Sequence, residues 1–280
     1  QARRHRARAR SRRRISHAAL YVGLGLGALV MAFPFYWTLA TSLTSNARLT
    51  ALRLWPENPN FDAYRVLLET LPFARIVGNS LVIAVVSTLV QLLTSVMAAY
   101  VFARMRFRGR DALFVVYLST MMIPQAVLVV PLFIEMRTFG LIDTYLGLLA
   151  PSLTSVFAVF LLRQAIRQLP SELEDAAVMD GAGHVRIFAQ IVLPLIRPML
   201  ATLTVLAFMG SWNNFLWPLI VIRSPEFMTL PLGLATLRGQ YTNPWEVIMA
   251  GSLISILPMA LLYLFAQKFI IQGVASAGLK

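Results

Sequence analysis

An all-α fold, a polytopic membrane bundle of six transmembrane helices, is what this sequence predicts, on three observations. Charge is scarce: Asp, Glu, Lys and Arg make up 13% of the 280 residues, about half the share of an ordinary soluble domain. Charge is also segregated. Uncharged runs cover Ile15–Ala47, Ile76–Ala103, Ala112–Ile134, Thr144–Leu162, Pro198–Ile222 and Val247–Gln267, with lengths of 33, 28, 23, 19, 25 and 21 residues. A hydrocarbon core about 30 Å thick takes roughly 20 residues of helix, so each run meets or nearly meets one crossing. Finally, Lys and Arg fall unevenly. With the N-terminus inside, 18 of them lie on the inner side and seven on the outer. The positive-inside bias then places both termini, and the segment from Arg163 to Arg197, in the cytoplasm.

Residues 1–14 form a basic tail with eight arginines. It reads as a topogenic, partly disordered segment rather than a nucleic-acid or lipid arm, and no nucleic acid is expected as a partner. The apolar run that follows exceeds the 7–15 residues or so of a signal-peptide core, so it is a retained span. That span covers about Ala18–Leu39, bent at Phe33-Pro34, with Tyr36-Trp37 at an interface. A turn-rich outer stretch holds Trp55-Pro56-Glu57-Asn58-Pro59-Asn60, after which Asp62 is placed to cap a short surface helix through Leu71. The second span, near Ile76–Val101, opens with Gly78-Asn79-Ser80. A short basic inner loop leads to a third span carrying Pro124 and Pro131. The fourth occupies about Tyr145–Leu162, the fifth starts near Pro198, and the sixth runs from about Val247 to Phe269. Proline in so many spans fits a packed bundle, where neighbours satisfy the freed carbonyls.

Absences narrow the chemistry. None of the six runs contains an acid or a base, which argues against a proton-coupled carrier, since such carriers often keep an intramembrane charge. No G-x-x-x-x-G-K-[ST] loop is present, so the chain has no ordinary means of binding and hydrolysing ATP. There is no cysteine, and His5, His17 and His184 have no metal-ligand spacing. No catalytic, cofactor or metal site is expected, and the chain is not expected to be an enzyme.

The inner loop between spans four and five is the richest local pattern. Ser171-Glu172-Leu173-Glu174 has S-x-x-E spacing, predicting a capping box and a helix to about Asp180. Gly181-Ala182-Gly183 would stop it by positive φ, and a second segment, Val185–Ile191, would return to Leu193-Pro194. Leu173, Ala176, Ala177 and Asp180 share one face at i, i+3, i+4, i+7. The small alanines admit another backbone closely, and Glu174, Asp175 and Asp180 are placed to pair with basic groups on a partner. A lipid-surface helix would instead be Lys/Arg-rich with large apolar residues.

Asp175-Ala176-Ala177-x3-Gly181-x9-Ile191-x-Leu193-Pro194 resembles the E-A-A-x3-G-x9-I-x-L-P loop of type I ABC importer permeases, carbohydrate-uptake group. Every fixed position matches except the first, where Asp175 stands for Glu. Asn79-Ser80, Trp212-Asn213-Asn214-Phe215-Leu216-Trp217-Pro218 and the ending Phe269-Ile270-Ile271-Gln272-Gly273-x4-Gly278-Leu279-Lys280 are similar to the same group. The resemblance implies a permease domain over 15–280 with a coupling loop at about 163–197. Glu174, Asp175, Ala176, Ala177, Asp180 and Gly181 would then contact an ATPase. It further implies a second homologous permease subunit, two ATPase subunits holding ATP and Mg, and an external substrate-binding protein. The location would be the plasma (inner) membrane and the cargo a mono- or oligosaccharide.

Trp212, Asn213, Asn214 and Trp217 are the candidates for the substrate path, because aromatic faces and amides suit sugars; amides also simply bond helices together. Asn79, Ser80, Gln91, Thr94 and Ser95 are weaker candidates. The outer stretch Gln240-Tyr241-Thr242-Asn243-Pro244-Trp245 is a candidate contact for the binding protein. The rival readings are an ion-coupled carrier working without an ATPase, an importer of glycerol phosphate compounds, and a membrane scaffold or receptor.

Overall fold

The computed structural model describes residues 2–44, 55–56, 58–238 and 244–277, and among these the chain is helical with no strand. Stretch 240–243 of the candidate binding-protein contact and the closing Gly278-Leu279-Lys280 lie outside the described residues. The chain divides into two compact units, Gln1–Thr70 with Leu237–Ile254, and Leu71–Thr236 with Ser255–Lys280.

The first unit holds α1 (Ala2–Ser42), α2 (Asp62–Thr70) and the opening turns of α14 (Trp245–Ala277). The backbone of the basic stretch is helical from Ala2 and continuous with the first span. Arg and Ala are strong helix formers, and no Gly or Pro interrupts them. The apolar window of α1 is wholly exposed, as a lipid-facing surface would be. α2 begins at Asp62, but its leading N–H is held by Asn60, whose Oδ1 accepts it at 3.0 Å. Ser42 and Tyr64 join α1 to α2 through their hydroxyls at 2.9 Å.

The second unit is built on α3 (Phe73–Arg104). Its other helices are α4 (Arg110–Ser119), α5 (Gln125–Thr138), α6 (Tyr145–Leu149), α7 (Val156–Arg167), α8 (Glu172–Met179), α9 (His184–Ile187), α10 (Leu193–Leu195), α11 (Arg197–Trp212), α12 (Leu216–Val221) and α13 (Leu230–Thr236). α7 and α11 pack along α3. Ala99 of α3 and Ala158 of α7 are buried among Val96, Val159, Leu162 and Leu203, small residues that let helices approach. A second cluster gathers Ile83, Met136, Leu148, Trp217, Val221 and Leu232.

Among the described residues, four helices are long and apolar enough to cross a membrane, and up to six spans result if two bent pairs each count as one. The third and fourth runs are therefore not single helices. The third turns by 98° between Met122 and Gln125. Ile123, which precedes Pro124, is extended at φ −81, ψ 116, since the proline ring crowds the helical conformation of its predecessor. The fourth bends by 45° between Ser152 and Val156, after the 3-10 turn Ala150–Ser152. Its second helix restarts under Ser155, whose hydroxyl accepts the Ala158 N–H. The fifth breaks at Asn213–Phe215, between α11 and α12.

Candidate functional site

The loop after α7 folds as expected in outline and departs in one detail. α8 covers Glu172–Met179, and Gly181 sits at φ +79. The Ala182 N–H reaches the Ala177 carbonyl and the Gly181 N–H the Val178 carbonyl, both at 2.9 Å. That pair of bonds is the Schellman cap. The predicted capping box is absent: Ser171 is itself helical in backbone and its side chain caps nothing. Glu174 turns instead to Arg104 at the end of α3, with Oε1 2.6 Å from Nε and the side chains only 15% and 18% exposed. A buried opposite charge outcompetes a neutral N–H for a carboxylate.

The other loop candidates separate by exposure. Asp175, Ala176, Asp180 and Gly181 are exposed, and Ala177 is half-buried against the chain's own core. The outermost apolar side chains are ones that spacing did not select: Met179 is 88% exposed and Val185 81%. Their signal was large apolar residues amid polar loop neighbours. Beside α8 lies a hollow of about 190 Å³ lined by Ala177, Asp180, Ala182, Arg186, Ile187, Gln190 and Ile191. The return segment is α9, then a π-helical turn Phe188–Val192, then α10. Buried Ile187, Val192 and Ile196 anchor it, and Phe188 packs on Tyr100 at 5.1 Å between rings.

Two arginines read from sequence as topogenic charge have structural partners. Arg104 Nη2 donates to the carbonyls of Ile166 and Leu169, at 2.9 and 2.8 Å. Arg163 is buried, donates to the Phe102 carbonyl and to Asp111, and lies 4.0 Å over the Phe114 ring.

The span-five cluster does not act as one group. Trp212 is 1% exposed and donates to the Ser255 carbonyl. Asn213 is exposed. Asn214 accepts the Trp217 N–H at 3.3 Å, and Trp217 Nε1 donates to the Gly147 carbonyl. Asn214 and Trp217 line a cavity of about 220 Å³ with Gln91, Gln125, Ser152, Ser211 and Thr229. The Thr229 hydroxyl, 5% exposed as a residue, has no hydrogen-bond partner.

Asn79 and Ser80 are joints. Asn79 Nδ2 donates to the Glu226 and Met228 carbonyls, its Oδ1 accepts from Tyr145, and Ser80 accepts the Leu230 N–H. Nearby, Asp143 at φ +61 accepts the N–H groups of Arg223 and Ser224 and the Ser224 hydroxyl. Burial acts to raise the Asp143 carboxyl, but these donors outweigh it and hold it below the usual aspartate range. Among the described residues, no three His, Cys, Asp or Glu gather as a metal site would require.

Comparison with known proteins agrees with this geometry. Residues 91–276 match the family described as binding-protein-dependent transport system inner membrane component. The arabinooligosaccharides transport system permease protein of Bacillus subtilis is 38% identical over 258 residues, covering 90% of this chain and 92% of that one. A lactose transport system permease protein of Rhizobium radiobacter is 33% identical, with coverages of 94% and 96%. Among solved structures, a chain of a bacterial ABC transporter that imports the acidic polysaccharide alginate superposes with a TM-score of 0.81. It has 28% sequence identity and covers 92% of this chain and 97% of its own length.

Proposed function

The chain belongs to the family of inner membrane components of binding-protein-dependent transport systems, and on that premise we propose that it forms half of the path of an ATP-driven saccharide importer. As a permease component it is a multi-pass membrane protein and the non-enzymatic part of its transporter. The observation that carries the proposal is α8: a capped helix with no buried residue, whose acids Asp175 and Asp180 and apolar Met179 face outward. Such a helix is fitted to enter a groove on another protein. In this reading the groove belongs to an ATPase carrying ATP and Mg, two copies of which serve two homologous permease subunits. Residues 163–197 and both termini face the cytoplasm, and a binding protein delivers cargo from the other side. ATP-driven closure pulls α8, and the spans switch between two packed arrangements.

A saccharide is favoured because the relatives' names specify arabinooligosaccharides and lactose. The 220 Å³ cavity offers amides and hydroxyls, including the unpartnered Thr229. It is small beside typical ligand pockets of about 300–1,000 Å³, as suits half a site completed by the second subunit. The test is mild-detergent purification with mass spectrometry, followed by uptake of labelled saccharides in liposomes. Co-purification of an ATPase, a second permease and a binding protein, with ATP-dependent saccharide uptake, is expected. The chain recovered alone, from membranes that yield a known importer intact, and transporting on an ion gradient, would overturn the proposal.

A further inference from the structure

Arg104 connects three elements at a single guanidinium. It closes α3, donates through Nη2 to two carbonyls at the end of α7, and meets Glu174 of α8 through Nε. The carbonyl end of a helix carries partial negative charge, so α7 and α8 both present negative groups to one cation. The Glu174 contact is close, yet it is not aligned as a hydrogen bond, and the two side chains remain 15% and 18% exposed. It also displaces the local capping box that the S-x-x-E spacing makes available.

α8 has little else to hold it. No residue of it is buried, and besides Glu174 only Ala177 turns partly toward the core. The return segment, by contrast, is anchored by buried Ile187 and Val192. A pull on α8 therefore reaches α3 through Arg104. Along α3, Gln91 lines the cavity about 20 Å from Arg104, at the helical rise of ~1.5 Å per residue.

We infer that the Arg104–Glu174 pair is the strut by which motion of α8 is passed to α3 and so to the cavity, which makes both positioning residues for transport. This rests on the importer reading above. In this role Arg104 acts through the helices it ties together.

The test uses the assembled importer in liposomes, measuring saccharide moved per ATP hydrolysed. Glu174→Gln keeps the shape of the side chain and removes the charge; Arg104→Gln removes the cation, and Arg104→Lys restores it without the fork. With the ATPase still bound and hydrolysis within about twofold of wild type, both Gln variants are expected to lower cargo per ATP by about tenfold. The double variant should do no more than Arg104→Gln alone, as for two residues sharing one interaction, and Arg104→Lys should recover part of the ratio. An unchanged ratio in Glu174→Gln and Arg104→Gln overturns the strut and leaves the importer reading standing. So does loss of the ATPase from both variants, since the pair would then only fold the loop. A wild-type chain that binds no ATPase brings down the importer reading itself, and the strut with it.

Discussion

The two ends of α3 are both tied by side chains to backbone carbonyls, and they are tied for opposite purposes. At Asn79, a neutral amide is 4% exposed, donates to two loop carbonyls and accepts from Tyr145. Every capacity it has toward that loop is used, and Ser80 adds the Leu230 N–H. At Arg104, about 37 Å away along the helix, the cation also meets two carbonyls, but its third partner is a carboxylate on a helix with no buried residue. A buried neutral joint is costly to open because each group left unpaired costs about 1–3 kcal/mol. The Arg104–Glu174 pair instead joins α3 to a helix that no buried side chain anchors, so that helix can shift and carry the contact with it. One end is built to hold still, the other to be moved.

The largest expected effect tests the movable end. Gly181→Trp puts a side chain on a backbone at φ +79, which L-residues adopt at a cost of roughly 1–2 kcal/mol, and places an indole beside α8. Uptake should fall to background and the ATPase should no longer co-purify; unchanged uptake would sink the assignment of α8 as the contact. A smaller effect is expected at the static end. Asn79→Leu leaves the Glu226 and Met228 carbonyls and the Tyr145 hydroxyl without their partner, and should lower stability by about 3 kcal/mol, read as a drop in Tm in detergent. If Asn79→Leu leaves the Tm alone but halves cargo per ATP, the contrast between the ends fails.

The smallest effect is conditional on pH. The Asp143 carboxyl lies below its ordinary value in the folded chain. Its clamp on Arg223 and Ser224 thus contributes fully above the unfolded aspartate value of about 4 and is lost as pH falls through the lower folded one. Protease access to the 222–229 loop should rise in wild type only under that acidic condition. In Asp143→Asn, which cannot be a carboxylate, access should be pH-independent and already raised at neutral pH.

Much of this was legible in the residues, and what was not has a common cause. The six uncharged runs predict the spans because bilayer thickness acts on length and polarity, which any window of sequence displays. The loop stop at Gly181 is local too, a matter of one φ angle. The capping box failed because the competitor for Glu174 is 70 positions away at Arg104. The Asp143 clamp joins positions 80 apart, and no spacing rule reaches that far. Trp212, Asn213, Asn214 and Trp217 read as one cluster of substrate-path candidates, but the helix breaks between Trp212 and Leu216. That break leaves Asn214 and Trp217 on the cavity and packs Trp212 elsewhere. The prolines were visible, but the 98° turn at Pro124 needed the fold to show that it divides a span rather than bends it.

That turn bears on how the protein is made. Arg110–Met122 and Gln125–Thr138 have helical lengths of about 20 and 21 Å, and neither alone covers a hydrocarbon core of about 30 Å. A nascent chain released segment by segment into lipid would have a stretch here that no single helix can satisfy, with the backbone around Pro124 open to the bilayer. Stable insertion of this portion should wait until α7, which packs on α4 and on the turn Thr120–Met122 before the break, has followed. Biogenesis is therefore cooperative at this point: truncation after Thr138 should strand the third segment even though its apolar run is complete.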